Sequence, residues 1–117
     1  MIIALVSDLI FASRISATAA HAGVAVDTRQ SARLPESDEA PRAVLVDLTI
    51  SNGDPFDAIR EAKTRWPDVA VIGFFPHVQV DLKRQAEAAG ADQVMPRSVF
   101  SEQLPEILRR FSDQRED

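Results

Sequence analysis

Three apolar runs, IIALV at 2–6, AVLVDL at 43–48 and VAVIGFF at 69–75, carry Val and Ile without the polar alternation of a half-exposed strand. Runs of this length and composition suit strands covered on both faces, as in parallel sheets. Two shorter runs, VAV at 24–26 after Gly23 and QVM at 93–95, bring the expected strands to five.

The segments between them carry helical spacing. At 10–22, Ile10, Phe11, Ile15, Ala19 and Ala22 form an apolar stripe that Gly23 stops. At 55–66, Asp54 reads as an N-cap and Pro55 as the first helical residue, with Phe56, Ile59, Ala62 and Trp66 inward. Leu82 and the alanines of 78–89 face inward before Gly90. At 101–111, Ser101 reads as a cap ahead of Leu104, Leu108 and Phe111. The stretch TRQSARLPESDEAPR, 28–42, admits at most a short helix inside a loop.

Strands alternating with helices make an α/β domain with a parallel sheet. Right-handed crossovers leave few topologies, and the doubly wound order 2-1-3-4-5, a three-layer sandwich, is the expected one. The 117 residues form one domain, 1–117, with no structure expected in the tail 112–117.

Composition narrows the function. Without cysteine there is no disulfide scaffold and no thiol chemistry. A net charge of −5 with no basic face argues against a non-specific hold on nucleic acid. Asp8 interrupts the first apolar run, no basic residue precedes it, and no stretch has the length of a membrane span, so a cytoplasmic protein without membrane contact is expected. Glycine fingerprints for nucleotides are missing. His21 and His77 have no partners at ligand spacing and read as surface residues.

Sites in open α/β sheets form at the carboxyl ends of strands. Asp8 follows the first strand and Asp47 closes the third, neighbours in the expected order, so both belong on one rim. Two carboxylates with a loop carbonyl suit a hard cation such as magnesium. Arg97, just after the last strand, can reach the same rim. Helix or loop capping is the competing explanation for each acid.

These residues resemble the receiver domains of response regulators (CheY-like) along essentially the whole chain. VLVDLTISNGDPFDAI, 44–59, is similar to the family's phospho-acceptor segment, and AAGADQVMPR, 88–97, to the stretch around its last strand. The resemblance implies a flavodoxin-like fold, Asp47 as phospho-acceptor, and Asp8, Asp47 and the Thr49 carbonyl as magnesium ligands. Its implied partners are a histidine kinase or a downstream signalling protein. A homodimer is also implied, through the face made by the helix at 78–89, the last strand and the final helix.

The departures are specific. Ser7 stands where the family has a second acid, which weakens the cation site. Phe75 stands where a Thr or Ser binds the phosphoryl group. Arg97 replaces a Lys, and Ser98 replaces the Pro after it, so a trans bond between them is expected. The expectation is a degenerate receiver, not an enzyme, acting by protein–protein contact with weak or absent phosphorylation. The alternatives are a working receiver phosphorylated on Asp47 and, third, a ligand-binding or phosphatase-type α/β domain. A haloacid-dehalogenase-type phosphatase would need an acid where Thr49 stands.

Overall fold

The computed structural model describes residues 1–76 and 80–112. In chain order it contains β1 (Ile2–Leu5), α1 (Leu9–Ala22), β2 (Val26–Arg29), β3 (Ala43–Asp47), α2 (Pro55–Arg65), β4 (Ala70–Phe75), α3 (Val80–Ala89), β5 (Gln93–Pro96) and α4 (Arg97–Arg110). The five strands form one parallel sheet in the order β2-β1-β3-β4-β5.

The unalternating runs are explained by the two layers they separate. Successive strand residues point to opposite faces. Ile2, Ala4, Ala43, Leu45, Ile72 and Phe74 join Phe11, Ile15, Phe100, Leu104 and Leu108 under α1 and α4. Ile3, Leu5, Val44, Val46, Val71 and Phe75 join Ile59, Ala62, Ala86 and Ala89 under α2 and α3. Each layer is apolar, so every position of β1 and β3 is buried.

Helix boundaries follow local chemistry. Asp54 caps α2 by accepting from the backbone N–H groups of Phe56 and Asp57, with Pro55 next in line. Gly23 ends α1 at φ 72°, where its N–H reaches the carbonyls of Ala19 and Ala20. That left-handed conformation suits a residue without Cβ.

The structure corrects several boundaries. The second strand lies at Val26–Arg29, not 24–26. Among the described residues it is an edge strand paired with β1 alone, and its partly buried polar residues gave no apolar signal. The first helix begins one residue earlier than expected, and Ile10 is 85% exposed instead of facing inward. The last helix starts at Arg97, directly after β5, so Ser101 is interior to it and no cap. Residues 30–42 contain no helix. Their backbone is held instead by Arg65, which donates to the carbonyls of Pro35 and Ser37, and by burial of Leu34. The expectations for His77, for the first residues of the helix at 78–89, and for the tail beyond Ser112 fall outside the described residues. Among those described, no peptide bond is cis, so Arg97–Ser98 is trans as expected, and no helix is long and apolar enough to cross a membrane.

Candidate functional site

β1, β3 and β5 end on one rim of the sheet, and each delivers one polar side chain there. Asp8 lies beyond β1 as the N-cap of α1. Its Oδ1 accepts from the backbone N–H groups of Ile10 at 3.0 Å and Phe11 at 3.1 Å. Its Oδ2 accepts from Arg97 Nη2 at 2.8 Å. The Arg97 hydrogen bond is the main cause that holds the Asp8 carboxyl below its ordinary pKa, and the Phe11 amide adds to it. Both side chains remain partly open to solvent, at 42% for Asp8 and 30% for Arg97.

Arg97 is held from a second side. Its guanidinium carbon lies 3.9 Å from the centre of the Phe11 ring, a cation–π contact. Phe11 is itself fixed in the α1/α4 layer against Phe74 and Phe100, whose rings stack at 4.3 Å.

Asp47 closes β3, and its residue is 7% exposed. Its Oδ1 accepts twice from Thr49, from the backbone N–H at 2.9 Å and from Oγ1 at 2.8 Å. Ile50 N–H returns to the Asp47 carbonyl, so the chain turns sharply after the strand. Oδ2 accepts no hydrogen bond from the described residues, and no buried polar side-chain atom among them lacks a partner.

Ser7 is half-buried between β1 and Asp8. Phe75, at the end of β4, is 3% exposed and belongs to the α2/α3 layer with Ala86 and Ala89. It pairs in register with Pro96. Thus the end of β4 offers no hydroxyl.

As arranged, these residues do not fit a magnesium ion. Asp8 Oδ2 is taken by Arg97, Asp47 Oδ1 is taken by Thr49, and Ser7 brings no charge. No group of three acidic, His or Cys side chains converges among the described residues. Sequence reasoning placed Asp8, Asp47 and Arg97 near one another but missed the support from Phe11 and the inward turn of the Thr49 hydroxyl. The helical position of Phe11, three residues after the cap, was the available signal for the first.

No protein-family model matches the chain, and neither does any curated protein sequence. Solved structures do. The BeF3-activated DrrB receiver domain superposes with a TM-score of 0.80 at 21% identity, covering 94% of each chain. The fold is that of a response-regulator receiver domain. The receiver domain of NtrX from Brucella abortus gives a TM-score of 0.77 at 19% identity over 94% of this chain and 96% of that one. A response regulator protein from Burkholderia pseudomallei, solved with a phosphorylated aspartic acid, calcium ion and citrate, gives 0.71 at 17% identity over 93% and 71%.

Proposed function

We propose that this chain is a receiver-like module of two-component (phosphorelay) signalling that works by protein–protein contact, with phosphorylation weak or absent. The observation that carries the reading is Phe75. Its ring is buried at the end of β4, so a phosphoryl group on Asp47 would meet no hydroxyl there. A ligand shifts a conformational equilibrium only by its differential affinity for the two states. With no hydroxyl at the end of β4 to draw in and the space under α3 filled by an aromatic ring, that difference is small. Magnesium binding is weak at best, since it must displace groups already paired. The partners are a histidine kinase or a downstream signalling protein, or a second copy packed on the face of α3, β5 and α4, in the cytoplasm.

A second reading, a working receiver phosphorylated on Asp47, is favoured by Asp47 Oδ2, which accepts no hydrogen bond from the described residues. One experiment separates the two. Wild type and Asp47→Asn are incubated with magnesium and a small acyl-phosphate donor, and intact masses are recorded. The proposal expects little or no phosphoryl adduct on either protein. A near-stoichiometric adduct on wild type, absent from Asp47→Asn, would establish the second reading.

A further inference from the structure

On this rim both oxygens of Asp8 and one oxygen of Asp47 already have partners, and one of those of Asp8 is itself a cation. One Asp8 oxygen is spent on the N-terminus of α1, the other on Arg97. Arg97 cannot easily drift away. It is the first residue of α4, immediately after β5, and its guanidinium rests on the Phe11 ring 3.9 Å away. A planar guanidinium is always charged and is more weakly hydrated than an ammonium, which suits a lasting place between a carboxylate and a ring. Arg14 lines the same open cleft as Arg97, Phe11 and Ser98, adding a second positive charge near the approach.

We infer that the Arg97 guanidinium is the resident cation of this rim, paired with the Asp8 carboxylate in place of a divalent ion and tying the start of α4 to the start of α1. The inference deepens the receiver-like reading, which supplies the kind of ion to be excluded. A magnesium ion would have to lose part of its water shell, remove a charged neighbour from Asp8 and remain beside it, while Asp47 keeps one oxygen without a hydrogen bond from the described residues. Arg97, more than the missing acid at Ser7, then decides that the site takes no metal.

The test is a magnesium titration at constant ionic strength, read from the backbone amide NMR shifts of residues 8–11 and 47–49. Wild type is compared with Arg97→Ala, and with Arg97→Gln if far-UV circular dichroism shows that the alanine variant is not folded. Wild type should show no saturable shift at millimolar magnesium. The variant should show one, with affinity raised roughly tenfold or more, because a like charge a few ångströms from the ion has gone. Saturation at the same magnesium concentration in both proteins, or in neither, would overturn the inference. The outcome is separable from the proposed function. A wild type that binds magnesium yet stays unphosphorylated removes only this inference, and one that excludes magnesium yet becomes phosphorylated removes only the other.

Discussion

Arg97 and Asp8 lie 89 positions apart in the chain, and their side chains meet at 2.8 Å, so the last strand–helix junction is tied to the first. The contact predicts an acid-sensitive step in stability. The folded pKa of Asp8 is lowered, chiefly by the Arg97 hydrogen bond. Its contribution is therefore complete above the unfolded value of about 4 and is lost as pH falls through the folded value. Urea unfolding of wild type and Asp8→Asn should show a gap at pH 7 that narrows below about pH 4. A gap that widens on acidification would contradict the pairing.

Asp92 extends the sheet by side chain. Its N–H donates to the Val71 carbonyl and its Oδ2 accepts from the Val71 N–H, both at 2.8 Å, continuing the β4–β5 ladder by one bridge. Lys63 Nζ joins the same oxygen at 2.7 Å and the Val69 carbonyl at 2.8 Å. Asp92→Ala leaves the Val71 amide without its partner and the Lys63 ammonium with only the Val69 carbonyl. It should cost about 1–3 kcal/mol in urea unfolding, with the slope unchanged.

Pro105 lies inside α4 and is exposed. It cannot donate to the Ser101 carbonyl, and its ring crowds that oxygen. Pro105→Ala should raise stability by about 1–3 kcal/mol, seen as a higher Tm. An unchanged or lower Tm would mean that the proline ring makes contacts worth as much as the helical hydrogen bond.

Pro105 also shows why part of the fold was hard to read. With Ser101 four residues ahead of it, the segment looks like the first turn of a helix. In fact α4 runs through both residues, held by burial of Phe100, Leu104, Ile107 and Leu108. Tertiary packing overrides the local signal. By contrast, Asp54–Pro55 and Gly23 mark helix ends by backbone chemistry that acts locally, and the structure uses them as such. The β1, β3 and β4 runs are legible for a similar reason, since burial on both faces demands apolar residues at every position. β2 at the edge carries no such demand. On the rim, strand ends locate Asp8, Asp47 and Arg97, but which acid takes the guanidinium depends on helix phase and on Phe11. Those are three-dimensional facts.

Ser7 sits beside Asp8, where a second carboxylate would add negative charge to the rim. Ser7→Asp should strengthen magnesium binding measured by titration calorimetry, because hard cations gain from each added oxygen charge. Tight binding in wild type, unaffected by this substitution, would contradict the weak-site account.

The most direct test concerns Phe75. Beryllofluoride with magnesium mimics a phosphoryl group on an aspartate. Amide NMR shifts of residues 80–111, which include α3, β5 and α4, report whether that face responds. For wild type the account predicts almost no change. Phe75→Thr should lower stability by about 3 kcal/mol through lost burial. It should also show some response across the same face if Asp47 and Asp8 hold the mimic. Large shifts throughout residues 80–111 in the wild-type protein would contradict the account and establish a working phospho-switch.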